Sequence, residues 1–371
     1  MRTDEPLHFA WYLPTEGDGH HLGTRIPERL PAFAYLTDVI LTAERSGFDE
    51  ILIPTGNAND SFAAEAPFAE SWTTAALLGA VTSRIRLLVA VRGGCHNPGV
   101  FAKMAATLDE ATGGRLVLNL VAGGSPDDMY SHALDHDERY RRLAEFARIV
   151  RRLWTEPSVD YDGEFFTMRG ALAEPKPVQQ PHPPFYMGGA SPIARDLAVE
   201  LVDTYLMWGE PPSQIAARID AMESLAVPAG KNFRYGLRIH VIVRPTEAEA
   251  RDAAYDLLSR ADAYVTAQRR AEFGGFDSVG QSRMLAVEAG REDWVAPHLW
   301  AGIRRVRGGA GTALVGTPEQ VAGLLAQYIA VGIRYFIFSG YPHREEAENV
   351  GRTLLPLLRE RHDHSLVSTQ R

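Results

Sequence analysis

Short apolar runs alternate with segments of helical period eight times along the 371 residues, and few folds accommodate that rhythm. The strand-like runs are 7–14, 50–55, 85–91, 116–121, 184–187, 204–208, 234–244 and 335–339. Helical spacing of apolar positions marks 32–47, 71–82, 98–112, 137–154, 193–202, 213–225, 247–267, 318–331 and 345–361. In the first of these, Tyr35, Leu36, Val39, Ile40 and Ala43 share one face, and Gly47 follows as a C-cap. The run 85–91 is apolar almost throughout, as a strand covered on both faces must be. Eight such units, with no internal repeat and no Pro/Gly/Ser linker between them, predict an α/β chain folded as one (β/α)8 TIM barrel over residues 1–361. Two stretches break the rhythm. Residues 155–184 hold a small hairpin around Tyr161-Asp162-Gly163-Glu164-Phe165-Phe166, and about 266–316 form an insertion after the seventh strand, without a clear strand signal. Residues 362–371 read as a disordered tail.

Charge narrows the possible partners. With 47 acidic against 38 basic residues the net charge is −9, which gives no electrostatic footprint for nucleic acid. Any anion site must then be a local basic pocket, which favours a small ligand over a polymer. Cys95 is the only cysteine, so there is no internal disulfide and no thiolate-rich metal site. No apolar run approaches the roughly 20 residues that cross a bilayer, and residues 1–5 lack the pattern of a signal peptide. A cytoplasmic protein without membrane contact is expected.

The seventh strand carries the least ordinary pattern. Arg238 and His240 stand two residues apart in Arg-Tyr-Gly-Leu-Arg-Ile-His-Val-Ile-Val-Arg, so a pleated strand turns both to the same face. Either that face is an edge in water, or it lines the barrel, where an unpaired cation is costly and an anionic ligand would relieve it. The barrel places active sites at the C-terminal ends of its strands. There the sequence offers Asp18, His20 and His21, then Arg92, Cys95 and His96, then Gly123-Gly124-Ser125. Gly188-Gly189-Ala190-Ser191 opens a helix and reads either as a phosphate cradle or as a tight turn. His132 and His136 are four apart, the spacing of two metal ligands on one helical face, but no third ligand is near. Cys95 is either a nucleophile or a small buried apolar group. No Ser-His-Asp order and no paired carboxylates emerge, which leaves a cofactor to supply the chemistry.

Several stretches are more specific: Leu13-Pro14-Thr15-Glu16-Gly17-Asp18-Gly19-His20, Ile53-Pro54-Thr55-Gly56, Asp135-His136-Asp137-Glu138-Arg139-Tyr140, Trp208-Gly209-Glu210-Pro211-Pro212, the Arg238 to Arg244 segment, 306–316, and Ser339-Gly340-Tyr341-Pro342-His343. On these the chain resembles the FMNH2-dependent alkanesulfonate monooxygenases of the bacterial-luciferase-like superfamily, from about Phe9 to Pro356. The resemblance implies a TIM barrel whose insertion after strand seven is a lid, and a homo-oligomer, dimer or tetramer. It implies reduced FMN (FMNH2) supplied by a separate NAD(P)H-dependent flavin reductase, O2 as co-substrate, and oxidative release of sulfite from a small-molecule sulfonate, leaving an aldehyde. Carried over position by position, Arg238, His240, Arg307 and Tyr341 are the catalytic candidates. With Trp208 and His343 they would surround the sulfonate, and His240 or Tyr341 would move protons. Asn119, His136, Tyr140, Gly188, Gly189 and Ser191 would hold FMN.

One departure bears on the substrate. In the family the Ile-Pro-Thr-Gly segment is followed quickly by a cysteine and then a tryptophan, whereas here 57–70 is longer and brings no cysteine before Trp72. The third strand also ends in the polar Arg92-Gly93-Gly94-Cys95-His96. Both point to a bulkier or polyhydroxylated sulfonate, such as the sugar sulfonate sulfoquinovose. The competing readings are a luciferase-like monooxygenase of a sulfone, aldehyde or heterocycle, a deazaflavin-dependent dehydrogenase, and a flavin-binding protein without turnover.

Overall fold

The computed structural model describes residues 5–56, 58–94, 96–123, 134–275, 278–286 and 293–369. The elements follow as β1 (His8–Tyr12), α1 (Phe33–Arg45), β2 (Glu50–Ile53), α2 (Ser71–Val81), β3 (Arg86–Arg92), α3 (Pro98–Ala111), β4 (Leu116–Val121) and α4 (His136–Thr155). The excursion comes next, as the antiparallel hairpin β5 (Val159–Asp162) and β6 (Thr167–Ala171). The chain resumes with β7 (Phe185–Gly188), α5 (Pro192–Leu201), β8 (Thr204–Trp208), α6 (Pro212–Ala226), β9 (Arg234–Val243) and α7 (Glu247–Asp256). The insertion holds α8 (Ala263–Gly275), α9 (Val279–Ala286), β10 (Trp294–Ala296), β11 (Leu299–Trp300) and β12 (Ala313–Gly316). The closing elements are α10 (Pro318–Ala330), β13 (Ile333–Ser339), α11 (His343–Thr353) and α12 (Leu355–Thr369).

Eight parallel strands close on themselves in the order β9, β13, β1, β2, β3, β4, β7, β8 and back to β9, which is the expected barrel. Alternation along each strand builds two cores. Phe9 and Trp11 of β1 pack outward among the helices, while Ala10 and Tyr12 point inside with Leu52, Leu88, Val117 and Ile337. The lower end of the barrel is closed by Glu50, which accepts from the Tyr335 hydroxyl at 2.8 Å and from Arg86 Nη1 at 3.0 Å. Helix starts follow ordinary capping chemistry. Asp135 and Glu138 form a capping box on α4, Thr317 and Gln320 another on α10, and the Asn97 side chain precedes Pro98 on α3.

The insertion departs from expectation, since it contains strand. β12 is only Ala-Leu-Val-Gly, too short to announce itself, and is held in place by tertiary pairing of residues 313–316 with 240–243 of β9. That pairing also explains the length of β9. Its first half belongs to the barrel, where Arg238 lies opposite Trp208, the last residue of β8. Beyond Arg238 it is followed by β13 as far as His240, and its residues 240–243 pair with the insertion. The end of the chain differs too: residues expected to be a disordered tail continue α12 as far as Thr369. The single helix expected over 247–267 is broken into α7 and α8 by a turn at 257–260.

Candidate active site

Above the barrel, at the C-terminal ends of the strands, lies a cavity of about 470 Å3. This volume is in the range of pockets that enclose small cofactors and substrates. Asn119, His136, Tyr140, Gly188, Gly189 and Ser191 all line it, although β4, α4 and the turn from β7 into α5 supply them separately. The inner wall adds Trp208 and Arg238, and the roof consists of 278–284 and Gly308-Gly309 from the insertion. A Cβ on Gly280 would stand 3.2 Å from the Trp208 ring, so the roof rests directly on that tryptophan. The two parts of the roof are joined by Gly309 N–H donating to Gln281 Oε1 at 3.0 Å.

One end of the cavity suits a phosphate. Ser191 caps α5, so the free N–H groups of a ten-residue helix open there. Gly189 has φ +149, and a Cβ on it would lie 2.6 Å from Ala194 Cβ and 3.1 Å from the Tyr140 hydroxyl. Only glycine lets the backbone run that close. The Tyr205 hydroxyl holds the turn by donating to the Gly189 carbonyl. Arg283 also lines this cavity, and burial, then the nearby Arg218, lower its proton affinity below the ordinary guanidinium range. Arg218 itself is paired with Glu210. A flexible ligand with an anionic end fits these residues, as FMN is. His136 lies 5.0 Å from the Tyr140 ring and contacts Asp137 Oδ1 through Nδ1 at 2.6 Å.

At the other end, Leu237, Ile239 and Val241 of β9 pack outward, which leaves Arg238 and His240 facing in, as the two-residue spacing requires. Arg238 is buried and its Nη1 and Nη2 have no hydrogen-bond partner. Its guanidinium carbon sits 4.7 Å from the centre of the Tyr12 ring. Burial first, and Arg307 second, draw its pKa down to about 10, so it remains a cation at neutral pH. Arg307 is in the opposite condition. It donates through Nε to Ser61 Oγ at 2.8 Å and through Nη2 to the Tyr12 hydroxyl at 2.8 Å and to Glu16 Oε1 at 2.9 Å. Burial works against its charge, yet Tyr341, Tyr12 and Glu16 together hold it well above the usual guanidinium range.

Of the six residues expected around the substrate, Trp208 and Arg238 reach the cavity, and the other four form an adjoining buried cluster. His240 stacks on Tyr341 at 5.7 Å, and Tyr341 meets His343 edge-on at 4.7 Å. The Tyr341 hydroxyl has no partner, and His343 Nδ1 is 3.0 Å from Asp18 Oδ1. Tyr12, Glu16 and Ser61 were not among the expected site residues. The alternation of β1 does place Tyr12 inward, but nothing local in the sequence marks Glu16 or Ser61 as partners of a residue 291 and 246 positions away. The lengthened segment after β2 is what delivers Ser61. Asn59 fixes its turn by donating to the Glu16 carbonyl at 2.6 Å and accepting from the Ser61 and Phe62 N–H groups. Gly124, Ser125, Cys95 and His132 lie outside the described residues.

Both ring nitrogens of His240 are engaged, Nδ1 with Ser339 Oγ at 2.7 Å and Nε2 with the Ala310 carbonyl at 2.9 Å. A carbonyl only accepts, so the neutral ring carries its proton on Nε2. Burial, then Arg238 and Arg307, push its pKa well below 6.5. The folded state therefore binds fewer protons than the unfolded chain once pH falls below 6.5, and stability must decline in that direction. The slope contributed by His240 approaches about 1.4 kcal/mol per pH unit. Denaturant midpoints between pH 7 and 5 should fall less steeply in His240→Asn than in wild type; parallel curves would show that His240 is not the group responsible.

A family model described as luciferase-like monooxygenase matches residues 7–335. Among solved structures, the chain is similar to a riboflavin lyase seen with modified FMN and riboflavin, with TM-score 0.78, 19% identity, and coverage of 96% of this chain and 92% of that one. An EDTA monooxygenase from a Chelativorans species superposes with TM-score 0.75 at 18% identity over 96% and 94%. A long-chain alkane monooxygenase does so with TM-score 0.77 at 19% identity over 96% and 92%. At these identities the likeness is one of fold.

Proposed function

We propose a reaction from one premise: the chain belongs to the luciferase-like monooxygenase family. The reaction is desulfonation of an organosulfonate by reduced FMN and O2, giving an aldehyde and sulfite, in a cavity whose phosphate end is the α5 turn. The observation that carries this reading is Arg238, a buried cation with both Nη atoms unpartnered. A sulfonate is anionic at any physiological pH and offers three oxygens to a forked donor. Charge balance points the same way. Arg307 is paired with Glu16, whereas the Arg238 guanidinium has no carboxylate bonded to it and is left to meet an anion.

Bound reduced FMN would supply the electrons that activate O2. The chain would do the rest by positioning: Arg238 orients the anion, Trp208 carries the roof, and the insertion keeps water from the reacting atoms. Of the two residues expected to move protons, Tyr341 has the free hydroxyl. We assign delivery of reduced FMN to a separate NAD(P)H-dependent flavin reductase and location to the cytoplasm; among the described residues no helix is long and apolar enough to cross a membrane. A dimer or tetramer is supported by Leu77 and Val81 on α2 and Val100 and Met104 on α3, which leave an exposed apolar strip on neighbouring helices.

The long, polar wall after β2 supports a hydroxylated substrate such as sulfoquinovose. With a flavin reductase, NAD(P)H and FMN in air, sulfite should be released faster from sulfoquinovose than from octanesulfonate, and not at all without O2. Faster release from octanesulfonate would reject the sugar, and no release from either would reject desulfonation.

A further inference from the structure

Besides the guanidinium of Arg238 and the hydroxyl of Tyr341, the cluster around Tyr12 holds an acceptor without a partner, one oxygen of Glu16. Glu16 is buried in the barrel mouth, and its two oxygens are used unequally. Oε1 accepts from Arg307 Nη2 at 2.9 Å, from the Tyr12 hydroxyl at 3.0 Å and from Ser61 Oγ at 3.4 Å. Oε2 is buried without any hydrogen-bond donor. Buried carboxylate oxygens are ordinarily paired, and a half-satisfied carboxylate in a site is a request for a donor. No donor of the surrounding side chains reaches Oε2: Arg307 is spent on Oε1, Tyr12 and Ser61, His240 on Ser339 and Ala310, and the Tyr341 hydroxyl and the Arg238 Nη atoms make no hydrogen bond to it.

Arg238 and Glu16 belong to one neighbourhood. The Tyr12 ring lies 4.7 Å from the Arg238 guanidinium and 5.0 Å from that of Arg307, and the Tyr12 hydroxyl bonds Glu16. A ligand that satisfies both orphaned groups must offer an anion to Arg238 and a hydrogen-bond donor to Glu16. A bare alkyl sulfonate offers the first alone and would leave the carboxylate oxygen dry. Resting on the desulfonation reading, we propose that Glu16 is a specificity-determining residue whose free Oε2 accepts a hydrogen bond from a substrate hydroxyl, selecting hydroxylated sulfonates over alkyl ones. Burial, opposed by Arg307, raises the proton affinity of this carboxyl above the ordinary range, consistent with an oxygen that lacks donors.

Calorimetric titration with sulfoquinovose and with hexanesulfonate, in the absence of turnover, tests this directly. Wild type should bind the hydroxylated ligand at least about 100-fold more tightly, because a site built around a hydroxyl rejects the analogue that lacks it. In Glu16→Ala the ratio of the two Kd values should shrink at least about tenfold. Glu16→Gln, which keeps the volume and one carbonyl acceptor, should fall between and carries the comparison if the alanine variant does not fold. A wild type without the preference, or a ratio within about twofold of wild type in the folded variants, overturns the proposal. Because binding is read without sulfite release, a preserved preference with no desulfonation rejects the reaction and leaves the role of Glu16 standing.

Discussion

Arg238→Met should lose about 10² to 10³-fold in kcat/KM for sulfite release and melt at a higher temperature than wild type. The two effects have one cause. A guanidinium buried with both Nη atoms unpartnered, beside the second cation Arg307, has only the Tyr12 ring face and the unbonded neighbours Tyr341 and Glu16 in its favour. Each unsatisfied buried donor costs roughly 1–3 kcal/mol, and methionine fills a similar length without charge. The folded protein should therefore gain on the order of 1–2 kcal/mol, a few degrees in the thermal midpoint for a domain of this size. Arg238→Lys should also be poor, because a point charge cannot give a planar pair of hydrogen bonds to one sulfonate. Thermal scans and sulfite-release kinetics on the same preparations check both signs. A variant that loses activity and stability together would mean that Arg238 has a partner in the resting protein, and wild-type kcat/KM would remove the anion from this site.

The barrel was legible because its evidence is repeated. Eight short apolar runs, each followed by a helical period, leave little freedom, and β9 keeps the phase its two-residue spacing implies: Leu237, Ile239 and Val241 outward, Arg238 and His240 inward. The register sets the depth of Arg238: β8 ends at Trp208, opposite it, β13 accompanies β9 as far as His240, and 240–243 pair with β12. Depth in a barrel is set by the neighbouring strands, and a single strand does not report it.

Less of the candidate site could be read, for a related reason. Among the cavity residues, Gly188, Gly189 and Ser191 sit at the turn from β7 into α5, where sequence punctuation is strong, whereas Asn119, His136 and Tyr140 are expected only through the family resemblance. Glu16 and Ser61 sit in irregular segments whose conformations are fixed by side-chain bonds such as those of Asn59, and no periodicity announces such bonds. The same is true of β12, four residues whose strand conformation is imposed by β9. Local patterns recovered what repeats, and partners across hundreds of residues stayed hidden.

Arg307→Met should be the most destabilising of the substitutions considered, by about 3–5 kcal/mol, because it strands Glu16 as an uncompensated buried carboxylate. The resemblance cast Arg307 as part of a lid that closes over substrate. It is buried, however, and its side chain is fastened to Tyr12, Glu16 and Ser61, which arrive from β1, the loop after it and the segment after β2. Those bonds tie the insertion to the barrel mouth through the ion pair of Arg307 with Glu16, whose partners are 5% and 1% exposed in their side chains. If the pair is what holds the two together, Glu16→Gln combined with Arg307→Met should recover much of the loss, since neither charge then remains to be buried. Denaturant midpoints of the two single variants and the double close the cycle, and a double variant no more stable than Arg307→Met would place the loss in packing. The cycle also separates two views of the insertion. A lid that opens in each turnover must break the Arg307 bonds each time, so weakening them should raise the rate of any step limited by opening. A fixed roof should show only loss, with kcat falling in parallel with stability across all three variants.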